Sequence, residues 1–196
     1  MTLWFVARAA GFVALIAASL TVALGAGGSS LARYDGRILA QLVHRSAAVL
    51  TLAMLALHAA LLVADGFVNV SIPGALVPFT AGYRGFALGL GTLAVYGFVV
   101  VALTGALRGR LAGSVRAARA WRAVHLSAYA AWALAMAHGV LAGTDTLRGW
   151  ALLIYALSAA LVGGALAARV AEALRTRRWE LTRARRYATA PAGARR

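Results

Sequence analysis

The chain has 196 residues, 62% of them hydrophobic and 13% charged, a balance that excludes an ordinary water-soluble domain. Its net charge of +15 comes from twenty arginines, no lysine and five acidic residues. There is no cysteine, so disulfides, thiolate metal sites and thiol catalysis are excluded. The arginines cluster between and after apolar runs, which is the pattern of topology control rather than of a nucleic-acid surface.

Apolar runs near the ~20 residues needed to span hydrocarbon at ~1.5 Å per residue recur along the chain. They predict five spans, at about residues 3–24, 38–64, 86–107, 118–141 and 147–171. Helix is required in each, because lipid offers the backbone of a single segment no other hydrogen-bond partner. The first run, MTLWFVARAAGFVALIAASLTVALG, lacks the short basic region of a cleaved signal and reads as a retained helix, with a cleaved signal as the minor reading. The chain divides into a membrane domain over 1–172 and a polar, basic tail over 173–196, expected to be partly disordered.

Arginine placement sets the expected orientation. Arg33 and Arg37 lie in the first connection, and Arg108, Arg110, Arg116 and Arg119 in the third. The tail carries Arg175, Arg177, Arg178, Arg183, Arg185, Arg186, Arg195 and Arg196. The opposite side has only Arg84 and Arg148 in its loops, with Asp65 and Asp145. The positive-inside rule therefore predicts an outer N-terminus and a cytoplasmic tail.

The four histidines all fall within spans: His44 and His58 in the second, His125 and His138 in the fourth. Both spans run from inside to outside, so depth pairs His44 with His125 at the inner level and His58 with His138 at the outer. The separations of fourteen and thirteen residues correspond to roughly 20 Å of rise, room for two stacked macrocycles. At about 100° per residue, fourteen residues return to nearly the same face, whereas thirteen miss it by roughly 140°. The fourth span must therefore bend, carry a π-bulge, or present its imidazoles from two directions. Imidazole in hydrocarbon is costly unless it ligates a metal or lines a functional path, and neutral imidazole is the usual axial donor to haem iron. Zinc is disfavoured, because no carboxylate or thiolate stands near. The blander reading, packing or interhelical hydrogen bonding, fits a lone histidine better than four depth-matched ones.

Several segments resemble the ferric-reductase-like transmembrane domain: RSAAVL after His44, WRAVHLSAY around His125, and WFVARAAGFVAL with its Arg8 and Gly11. That family includes ferric reductases, NADPH oxidases and the haem-binding membrane subunit of the methionine-sulfoxide reductase system. The resemblance covers roughly residues 3–171 and implies that His44, His58, His125 and His138 ligate two haems b. It also implies electron flow from the cytoplasmic to the outer side. Five spans are one fewer than the six common in that family. No Gly-rich dinucleotide fingerprint occurs, so the reductant is expected from a partner supplying flavin or quinone.

Haem propionates need cationic or hydrogen-bonding partners in a low-dielectric setting. Arg8, in the outer half of the first span, is expected to meet an outer propionate rather than snorkel to the interface. For Arg45 and Arg122, at the inner level, propionate binding and a topogenic role are both open. Trp132, midway between His125 and His138, reads as packing or as an aid to tunnelling. Trp4, Trp121, Trp150 and Trp179 read as interfacial anchors. Gly163 and Gly164 suggest close helix approach in the last span. The outer loop over 67–84 either folds over the outer haem or is a plain interfacial connector. The basic tail suits lipid headgroups, or an acidic flavoprotein donor.

Together these residues predict an all-α integral membrane protein, a bundle of about five transmembrane helices enclosing two stacked haems. Its expected place is a bacterial plasma membrane, between a cytoplasmic flavoprotein or quinol donor and an outer acceptor such as ferric chelate, oxygen or a partner reductase. No acid–base pair or nucleophile stands out, so an electron-transfer subunit is expected, without its own flavin or NADPH domain. The alternative is a small transporter or structural membrane protein whose histidines pack or relay protons. A one-haem relative is the third reading.

Overall fold

A computed structural model describes residues 2–27, 34–66, 68, 70–111 and 113–189, apart from the side chains of residues 34, 35 and 184–189. Arg33, Phe67, Arg195 and Arg196 therefore lie outside the described residues, as do the side chains of Arg185 and Arg186. The helices are α1 (Thr2–Gly27), α2 (Tyr34–Ala64), α3 (Ile72–Leu76), α4 (Gly85–Ala106), α5 (Arg108–Leu111), α6 (Val115–Leu126), α7 (Ala128–Ala142) and α8 (Gly149–Thr189). Five helical stretches are long and apolar enough to cross a membrane: Thr2–Gly27, Gly36–Ala64, Gly85–Ala106, Val115–Ala142 and Gly149–Arg183.

The bundle is built around α1, which packs against α2, α7 and α8. Alanine makes this close approach feasible: Ala7, Ala10, Ala14, Ala17, Ala18, Ala23 and Ala26 are all buried on α1. The second packed pair is α4 with α7. Helix α8 is peripheral and faces α1, Leu15 of α1 clustering with Ala151 and Tyr155 and Phe12 meeting the Trp150 ring edge-on. Gly163 and Gly164, expected to mark a close approach, have no neighbour within 4 Å. The buried face of α8 runs instead through Ala151, Tyr155, Ser158 and Val162.

The fourth span is interrupted. Between α6 and α7, Ser127 donates its backbone N–H to the Val124 carbonyl three residues back, a tightened turn of 3₁₀ type. Each residue wound this way turns about 20° further than in an α-helix, the direction needed to bring thirteen residues towards one face. The expected bend is thus an overwound turn, made without proline.

Helix α8 continues into the tail as far as Thr189, and the remainder of the tail lies outside the described residues. Ala, Leu, Arg and Glu dominate that stretch and are strong helix formers, and extending an existing helix needs no new nucleus.

The outer loop is folded onto α4. Ser71 caps α3 by accepting from the Gly74 N–H, Thr92 donates to the Ala75 carbonyl at 3.0 Å, and the Tyr96 hydroxyl donates to the Leu76 carbonyl. Phe79 sits at φ 69°, unfavourable for an aromatic residue, with its ring in the notch left by Gly89 and stacked on Phe86. Arg84 has a local role, since its Nη1 donates to the Leu141 and Ala142 carbonyls at 3.0 and 3.1 Å. These carbonyls end α7 and have no helical partner of their own.

Candidate functional site

Helix α2 carries His44 and His58, α6 carries His125 and α7 carries His138, with α1 backing α2 and α4 backing α6 and α7. Across the space between them the rings meet in the two depth-matched pairs. The ring centroids are 6.2 Å apart for His58 and His138, and 6.3 Å apart for His44 and His125.

Three of the four rings are aimed from behind by a backbone carbonyl. Nδ1–H of His58 donates to the Ala7 carbonyl at 2.7 Å, that of His138 to Ala87 at 2.8 Å, and that of His44 to Thr21 at 2.9 Å. A carbonyl can only accept, so the proton sits on Nδ1 and each Nε2 keeps its lone pair for a ligand bond. His125 is the exception: its Nδ1 faces the Val101 carbonyl but does not reach hydrogen-bond geometry. Its ring is held instead by Trp121, stacked at 5.0 Å and 19°, while Trp121 donates Nε1–H to the Thr104 carbonyl and carries the Arg108 guanidinium 5.0 Å over its face.

A glycine lies four residues after each of these carbonyls: Gly11, Gly25, Gly91 and Gly105. In each case the atom nearest to a Cβ built on that glycine belongs to the corresponding histidine ring, at 3.1, 3.3, 2.7 and 3.4 Å respectively. The i−4 carbonyl of a helix normally lies behind the side chain at i, so glycine there lets an imidazole reach it. The arrangement repeats. Gly11, Gly25 and His58 recur eighty residues later as Gly91, Gly105 and His138, while His44 recurs eighty-one later as His125. His58 and His138 each bond a carbonyl 51 residues earlier. The sequence singled out Gly11 only as part of a resemblance, and Gly25, Gly91 and Gly105 not at all. Their spacing of fourteen, matching that of His44 and His58, was the signal available.

The donor set decides what could sit between the rings. Among the described residues no group of three or more His, Cys, Asp or Glu gathers to hold a metal ion. Two opposed imidazoles alone suit a metal that brings its own equatorial donors, as iron in a porphyrin does. Two metal–nitrogen bonds of about 2.0 Å plus two ring radii of about 1.1 Å give roughly 6.2 Å, the separation observed. The residues therefore fit a haem at each level.

Arg8 lines the cavity around His58 and His138, together with Trp4, Phe12, Val68, Val70, Tyr83 and Tyr155. It also forms an ion pair with Asp145 of the α7–α8 turn, a partner not foreseen in the sequence. Val68, Val70 and Tyr83 bring the outer loop over the outer pair. Arg45 and Arg122 are exposed, as is Arg108, which reaches His125 through the Trp121 ring. Trp132 lies between the two levels, donating to Ser19 Oγ at 2.9 Å and packing on a core of Ala18, Ala94, Phe98 and Ala131.

The fold thus defines an all-α protein with five candidate membrane spans and two stacked imidazole pairs within them. In comparison with known proteins, no family model, curated protein or solved structure matches the chain.

Proposed function

We propose that this chain is a multi-pass protein of a bacterial plasma membrane that passes electrons across the bilayer through two b-type haems. His44 with His125 would hold the inner haem and His58 with His138 the outer. The N-terminus would lie outside and α8 would end in the cytoplasm, as the arginines of the inner connections favour. The single observation carrying this reading is the pair of imidazole–imidazole separations, each of the width that one iron held between two imidazoles would need.

When bound, iron porphyrin supplies reversible one-electron chemistry. The chain's own residues do the rest. The carbonyls of Ala7, Thr21 and Ala87 fix tautomer and ring direction, and a hydrogen bond there makes the far nitrogen a stronger donor. The glycines let those rings sit against α1 and α4. Arg8 offers a cation to an outer carboxylate. The alanine and phenylalanine core between the levels excludes water. Electrons would come from a cytoplasmic flavoprotein or quinol and leave to an outer acceptor such as ferric chelate, oxygen or a partner reductase. The reading also draws on the resemblance of the segments around Arg8, His44 and His125 to the ferric-reductase-like transmembrane domain.

The test is pigment. Full-length protein from haem-replete cells should show a Soret band and a sharp α-band on reduction, at about two haems per chain. A colourless preparation would overturn the proposal and favour packing or proton-relay histidines.

A further inference from the structure

We infer, on the reading that both levels hold haem, that the chain makes the inner haem the more easily reduced of the two. Two independent differences between the levels point the same way.

The first is the hydrogen bonding behind the ligands. Both outer imidazoles donate Nδ1–H to a carbonyl, at 2.7 and 2.8 Å, which pushes electron density onto the ligating nitrogen and favours oxidised iron. At the inner level His44 does so at 2.9 Å, but His125 does not reach such a bond and is steadied by the face of Trp121. An imidazole without that bond is the weaker donor and favours reduced iron.

The second difference is charge. The outer cation, Arg8, is neutralised by Asp145. The inner one, Arg108, is exposed and so partly screened by solvent, but it lies over Trp121, which in turn lies over His125, and among the described residues it forms no ion pair. A lone cation stabilises the reduced, less positive iron, whereas a compensated one exerts little field. Trp121 is thus a positioning residue, holding His125 and Arg108 in one stack. Electrons arriving from the cytoplasmic side would collect at the inner level before crossing.

The experiment is a potentiometric titration of the haem-loaded full chain, followed at the α-band. Two components are expected. In H58A, which disrupts the outer pair, the component that survives should be the one of higher potential. R108Q should move that component alone to lower potential, and R108K should restore it. D145N, which frees Arg8, should raise only the lower component. The inference is overturned if the survivor in H58A is the lower component, or if R108Q shifts both components or neither. Should R108Q not fold, H58A and D145N still decide. Absence of haem would instead overturn the electron-transfer reading, whereas two haems in reversed order would overturn only this inference.

Discussion

A Cβ on Gly91 would stand 2.7 Å from Nδ1 of His138, closer than real Cβ contacts come. The ring cannot yield, because the same Nδ1 is bound to the Ala87 carbonyl on the same helix. The equivalent distances grow from 3.1 Å at Gly11 to 3.3 Å at Gly25 and 3.4 Å at Gly105. Alanine at these positions should therefore act in a graded way. G91A should cost about 1–3 kcal/mol as overpacking and, on the proposed reading, lower the haem content at the His58–His138 level, G11A and G25A less, and G105A almost nothing. Haem content per chain and thermal denaturation in detergent measure the series.

The pair formed by Arg8 and Asp145 is mostly buried, its side chains 21% and 16% exposed. Removing one partner leaves the other charge uncompensated at the outer cavity. R8A and D145A should each destabilise the protein more than the double variant would suggest, with a coupling of about 1–3 kcal/mol. A double-mutant cycle on thermal unfolding checks this, and additive effects would contradict it.

Trp132 occupies the position where an aromatic relay between the levels could stand, yet its contacts are those of a packing residue. W132F should lose the Ser19 hydrogen bond, about 1 kcal/mol, and leave equilibration between the two haems unchanged. Flash photolysis or rapid mixing reads that rate. A large fall in W132F would assign the indole a role in transfer.

The overwound turn at Ser127 supplies about 60° of the roughly 100° lost with the one residue by which His125–His138 is shorter than His44–His58. Inserting one alanine after Ser127 should let α6 and α7 merge into regular helix with the rings on nearly one face, so haem content should hold. The same insertion after Leu50, in the unbroken α2, should swing His58 by about 100° and abolish the outer haem. Loss of both haems in the Ser127 insertion would show that the turn does not compensate.

The spans and the depth pairing of the histidines were legible because hydrophobic run length and intrahelical spacing are properties of one segment. What lay beyond was relational. Arg45 is next to His44 in sequence and exposed, while Arg108, seventeen residues before His125 and also exposed, reaches it through Trp121. Asp145 looked like a loop charge until the fold carried it to Arg8. The glycines sit on helices without histidines, so their purpose emerges only once α1 is known to back α2, and α4 to back α7. Trp121 and Trp179 look alike as span-end tryptophans, yet only the first is stacked on a histidine.

Each pair takes one ring from the hairpin of α1 and α2 and the other from that of α4 and α6–α7. The two levels therefore behave as two bolts through the same pair of plates. Fastening either bolt fixes the gap between the plates, and with it the reach required of the other. On the proposed reading the second porphyrin should insert more readily than the first, giving sigmoidal uptake when the apoprotein is filled stepwise.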